Sequence, residues 1–121
     1  MIMFESGRKF QIWSYSVSHG SLLFRSVKSE KNNTRIDISF KNVKFINSKA
    51  SIEGMVISEI DDLGITSNFS ISNLFMGDRK FAIHSEKWEG LVVAGFFGWK
   101  EDDGEYFEKS YFDHYSDVVG C

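Results

Sequence analysis

The chain predicts an all-β, mainly antiparallel fold: a single-domain β-sandwich or barrel of about seven to nine strands with a short C-terminal helix. Three observations predict it. From Leu91 to Phe97 no residue is polar, so both faces of an extended strand there are apolar and need cover, as in the middle of a sheet within a sandwich or barrel. Residues 10–27 alternate with period two around a turn, the pattern of a hairpin. The aromatic load of 12 Phe, 4 Tyr and 3 Trp suits a pleated surface better than a helix. At 121 residues the chain is expected to form one domain, residues 1–121, large enough for one core.

The hairpin comes first. Phe10–Val17 runs out, Ser18-His19-Gly20-Ser21 turns, and Leu22–Val27 returns. With His19-Gly20 as the two-residue loop, Val17 is expected to face Leu22, Tyr15 to face Phe24 and Trp13 to face Ser26. Trp13, Tyr15 and Phe24 then share one core-like aromatic face. The opposite face holds Ile12, Ser14, Ser16, Leu23, Arg25 and Val27, with Ser14 across from Arg25.

Lys28–Asn33 reads as a polar loop. In Thr34–Phe40 the residues Ile36, Ile38 and Phe40 share one face. Val43 and Phe45 resume the alternation with changed parity, which calls for a bulge or tight turn at Lys41-Asn42. Arg35, Lys41, Lys44 and Lys49 fall on the polar side. Ala50–Ile60 reads as a strand ended by a turn at Asp61-Asp62-Leu63-Gly64, and Ile65, Ser67, Phe69 and Ile71 suggest another. Residues 74–79 read as a turn or one helical turn. Phe81–Glu86 is a short strand leading into the apolar run, where Gly90, Gly95 and Gly98 mark a bend or bulge. After the acidic loop Lys100–Glu105, the residues Phe107, Tyr111, Phe112, Tyr115, Val118 and Val119 recur at helical intervals, with Asp103 as the cap.

Charge is distributed unevenly. Residues 1–50 hold nine Lys/Arg against three Asp/Glu, and residues 51–121 hold five against fourteen, within a net charge of -3. The two halves either face each other in one domain, pair between subunits, or meet different partners. The single cysteine, Cys121, leaves no intrachain disulfide, and the N-terminal residues lack the basic-then-apolar order of a secretory signal, so a cytoplasmic location is expected.

Chemistry-bearing patterns are sparse. There is no Gly-x-Ser-x-Gly elbow and no phosphate-cradling Gly-rich loop followed by Lys-Ser or Lys-Thr. His19, His84 and His114 lack metal-ligand spacing; His84 and Glu86 share one strand face, but a His-x-His pair is missing, and Asp102, Asp103 and Glu105 lack calcium-loop spacing. No cofactor or metal is therefore expected, and an enzyme is the minority reading. The leading expectation is a small binding protein acting through protein–protein contacts, either self-association as a homo-oligomer or an inhibitor or immunity-type role against a basic partner. Asp102, Asp103, Glu105, Tyr106, Tyr111 and Tyr115 would form its surface, charge setting selectivity and aromatic anchors holding the complex. A small-molecule site or minor hydrolase in a barrel mouth is the alternative, lined by Ser14, Ser16, Arg25, His84 and Glu86, with Arg25 holding an anion. Single-stranded nucleic-acid binding by the basic half and its aromatics Trp13, Tyr15, Phe24 and Phe45 is disfavoured by a pI of about 5.6. No membrane association is expected.

Overall fold

The strand signals in the sequence assemble into one antiparallel sheet. The structure is a computed structural model and describes residues 1–60 and 78–112. Eight strands lie among them: β1 (Ile2–Ser16), β2 (Ser21–Ser26), β3 (Arg35–Lys41), β4 (Phe45–Asn47), β5 (Ser51–Ile60), β6 (Arg79–Ser85), β7 (Trp88–Ala94) and β8 (Phe96–Asp102). Their order across the sheet is β4-β7-β6-β5-β1-β2-β3-β8, every pairing antiparallel.

This order does not close, yet its two ends are built from the same two lengths of chain. β3 runs into β4 through Asn42–Lys44, and β7 runs into β8 through Gly95. At the corner the Gly95 N–H donates to the Lys41 carbonyl at 2.9 Å, and the Lys44 N–H donates to the Val93 carbonyl at 2.8 Å. Asn42 turns the chain with φ 55, a left-handed conformation that Asn tolerates better than most residues. The sheet thus folds over on its own apolar side. Phe40 of β3 meets Phe81 of β6 with ring centroids 5.5 Å apart and Phe97 of β8 at 5.4 Å. Around them Phe24, Ile38, Ile57 and Ile83 are fully buried, each contributing about 1.5–3 kcal/mol of transfer free energy.

The apolar run is buried from Leu91 to Ala94, with Leu91, Val92 and Val93 inaccessible on both faces, whereas Gly95 and Phe96 are exposed. It is two strands rather than one, because Gly95 makes the bend. The predicted turn at Lys41-Asn42 is present, and Ile36, Ile38 and Phe40 share the core face. β1 begins at Ile2, well before the alternation that predicted it, since residues 2–9 pair with β5.

The hairpin forms with a different register from the one expected. Its loop is the four residues Val17–Gly20, closed by the Gly20 N–H on the Val17 carbonyl at 3.3 Å. Tyr15 therefore faces Leu22, Ser14 faces Leu23 and Gln11 faces Arg25, with a bulge at Trp13. The bulge sets Ile12 rather than Trp13 opposite the core residue Phe24, and Trp13 and Tyr15 are both exposed, so the shared aromatic face of Trp13, Tyr15 and Phe24 does not form. Arg35, assigned to the polar side of its strand, is buried. The expected C-terminal helix starts later than Asp103 or Phe107: Tyr111 and Phe112 are helical, and the residues before them are not. Residues 106–108 form a turn and bend, and the carbonyls of Glu105, Glu108 and Lys109 accept from the Arg35 guanidinium instead of from a helical ladder. Its remainder, with Tyr115, Val118 and Val119, and the expected strand at Ile65–Ile71 lie outside the described residues. Among the described residues no helix is long and apolar enough to cross a membrane.

Candidate functional site

The outer face of β2, β3 and β8 carries the charges that alternation directs away from the core. Arg25 lies opposite Asp37, and Arg35 opposite Asp102. On an ordinary outer face these groups are solvated; here Arg25, Arg35 and Asp37 are each at most 3 % exposed. Burial of ions is offset only by close, multiple hydrogen bonds. Arg25 supplies them to Asp37 through Nε at 2.7 Å and Nη2 at 3.0 Å. Arg35 grips Asp102 through Nε and Nη2, both at 3.0 Å. Both are bidentate guanidinium–carboxylate pairs, a geometry that lysine does not reproduce.

The remaining guanidinium donors fix the segment after β8. Arg25 Nη1 donates to the Tyr106 carbonyl at 2.6 Å, and Arg35 Nη1 donates to the carbonyls of Glu105 at 3.0 Å and Glu108 at 2.9 Å. Gly104 is required at the start of this strap, because a Cβ there would collide with the Arg35 guanidinium. The Gly104 N–H in turn donates to Asp102 Oδ1 at 3.0 Å. Burial alone would raise the Asp102 carboxyl. The Arg35 hydrogen bond, the Gly104 N–H and the charges of Arg35 and Arg25 outweigh it and hold the carboxyl below its ordinary value. Burial likewise opposes the Arg35 charge, and Asp102 with Asp37 more than restores it.

Over this buried network lies an exposed aromatic face. The Trp13 ring covers the Arg25 guanidinium at 5.2 Å and meets Tyr106 edge-on at 6.5 Å; Tyr106 meets Phe107 edge-on at 5.3 Å. Trp13 is 38 %, Tyr106 58 % and Phe107 70 % exposed. Three large rings are thus held in contact with one another and with solvent. The bulge aims Trp13 outward and the arginines hold the carbonyls beneath Tyr106, so the face is preorganised rather than frayed.

The residues expected to bind a partner are distributed around this strap. Tyr106 is in the aromatic face. Tyr111 lies over Lys100 at 5.3 Å. Asp102 is committed to Arg35, Glu105 is paired with Lys28 at 3.1 Å, and Asp103 is exposed with no partner among the described residues. Tyr115 lies outside the described residues. The five residues expected to line a small-molecule pocket do not share one cavity. His84 and Glu86 border a depression of about 370 Å³ with Glu5, Ser6 and Gly7, and His84 Nδ1 approaches Glu89 Oε2 at 3.6 Å. Ser14 and Ser16 sit on the β1 hairpin arm, where Ser16 Oγ is 3.3 Å from His19 Nδ1. Arg25 is consumed by Asp37 and the strap. No group of three or more His, Cys, Asp or Glu side chains suited to a metal occurs among the described residues.

Sequence reasoning missed Asp37, Arg35 and Phe107. A signal for the first two was present: Arg35 and Asp37 stand at i and i+2 on the face opposite Ile36 and Ile38, with Arg25 flanked by Leu23 and Val27. The chain matches no protein-family model, no curated protein and no solved structure.

Proposed function

We propose that this protein is a non-catalytic binding protein that engages a protein partner through the face formed by Trp13, Tyr106 and Phe107. The observation that carries the reading is three contiguous, exposed rings fixed over the buried Arg25 and Arg35 network. Exposed aromatic clusters on a rigid support have the character of interface hot spots, where a few aromatic anchors supply most of the binding energy. Preorganisation adds to this, because less side-chain and loop freedom is lost on association.

The rim argues for a partner bearing cationic side chains. Asp103, Glu105 and Glu108 are exposed beside Tyr106 and Phe107, with Lys28 and Lys109 the nearby basic residues in the sequence and ion-pair pattern. Rim charges of this kind act mainly on association rate and choice of partner. The test is affinity capture from the native host, comparing wild type with Trp13→Ser and Phe107→Ser at matched thermal stability. A captured protein whose affinity falls at least about tenfold in both variants is the expected result, with Glu108→Lys slowing association. Equal capture by all three proteins would sink the reading.

A further inference from the structure

We propose that the free edge of β1 at Ser14–Ser16 pairs antiparallel with the same edge of a second copy of this chain, about a twofold axis through Tyr15. This does not rest on the aromatic face: the carrying observation is an unpaired, uncharged strand edge. β1 pairs with β5 only as far as Gln11↔Ser51, and the Ile12 N–H closes that side on the Ala50 carbonyl at 2.8 Å. From Ser14 to Ser16 the ladder continues to β2 alone. The opposite edge therefore has no backbone partner among the described residues. Ser14, Tyr15 and Val17 are exposed as well, so the side chains along this edge are open to solvent.

Proteins normally blunt such an edge with Lys, Pro or an inward charge. Here no Asp, Glu, Lys or Arg occurs between Phe10 and Phe24, and the chain has no proline. The bulge at Trp13 lies just before the arm and leaves Ser14–Ser16 in regular pairing. The chemistry selects a second copy as the occupant. Although the net charge is -3, this edge meets itself without a like-charge pair. Centred on Tyr15, the register sets Tyr15 against Tyr15 of the partner subunit, and Ser14 against Ser16 of the partner subunit. Aromatic–aromatic and hydroxyl–hydroxyl pairs are both favourable across strands. A twofold contact uses the same patch on both subunits, so assembly stops at a dimer.

A ladder this short is small against the ~1,600 Å² of a standard interface, which points to weak association with a Kd on the order of 100 µM. Sedimentation velocity between about 10 µM and 1 mM tests it. The wild-type mass is expected to rise toward twice 13.9 kDa, while Tyr15→Lys and Tyr15→Glu each remain monomeric. An equimolar mixture of the two variants should restore the dimer, because opposite charges then meet on the axis. Tyr15 is 45 % exposed, so the variants are expected to keep the wild-type melting temperature; Ser14→Lys, at a second exposed position, serves as an independent disruption. Concentration-dependent amide shifts centred on Ser14–Ser16 would agree. A wild type that stays monomeric throughout, assembly beyond the dimer, or a dimer unaffected by Tyr15→Lys would each overturn the proposal, whatever the fate of the Trp13 face.

Discussion

At the scale of single residues, Arg35 concentrates more of the structure than any apolar side chain does. It joins β3 to Asp102 of β8 and holds three carbonyls of the strap. The pH consequence follows from Asp102. Its carboxyl is held below the ordinary value of 3.8, so the folded state binds fewer protons than the unfolded state near that pH. The stabilisation is complete above about 3.8 and is lost as pH falls through the lower, folded-state value. Asp102→Asn should therefore be less stable than wild type at neutral pH, with the difference narrowing below pH 3.8 in urea titrations. A pH-independent difference would assign the loss to packing instead. Gly104→Ala pushes a methyl against the pinned Arg35 guanidinium and should cost about 1–3 kcal/mol in the same measurement.

Elements show which parts of the fold were legible. Strands β3, β5 and β6, the turn after β3 and the double-sided burial of β7 follow from alternation and from apolar runs, because those signals report a face directly. The register of the β1–β2 hairpin does not. The four-residue loop shifts the register by two and the extra residue at Trp13 reverses the parity beyond it, and neither leaves a mark in the pattern of apolar residues. The strap was misread for a related reason. Phe107, Tyr111 and Phe112 recur at helical spacing, but the helix starts only at Tyr111, because two guanidinium groups take the carbonyls of Glu105, Tyr106, Glu108 and Lys109. Of the candidate surface, Tyr106 and the acidic residues of the strap were legible, while Phe107 read as part of a helix, Arg25 as an anion-holding pocket residue and Arg35 as a charge on the polar side of its strand. The corner between β3 and β4 supplies its own check. Asn42 at φ 55 accepts Gly with little change, whereas Asn42→Val should lose about 1–2 kcal/mol, measured by thermal melts.

The whole molecule resolves the uneven charge of its sequence internally. Arg8 reaches Glu101, Lys28 reaches Glu105, Arg35 reaches Asp102 and Lys44 reaches Asp78, so basic and acidic halves face each other across the fold. Apart from the buried Arg35–Asp102 pair, these are exposed on at least one side and contribute little, about 0–1 kcal/mol each. Stability is expected to reside in the ring cluster where the sheet folds over, and Phe40→Ala should cost about 3–5 kcal/mol by denaturant titration. The same long reach has a consequence in time. Asp102 follows Arg35 by 67 residues, which a ribosome adding 5–20 residues per second completes in roughly 3–13 s. During synthesis β3 emerges before either of its late ligands, the β8 carboxylate or the strap carbonyls, has been made. For those seconds the nascent chain presents Arg35 still open to water, and the synthesis of β8 and the strap decides when it is sealed.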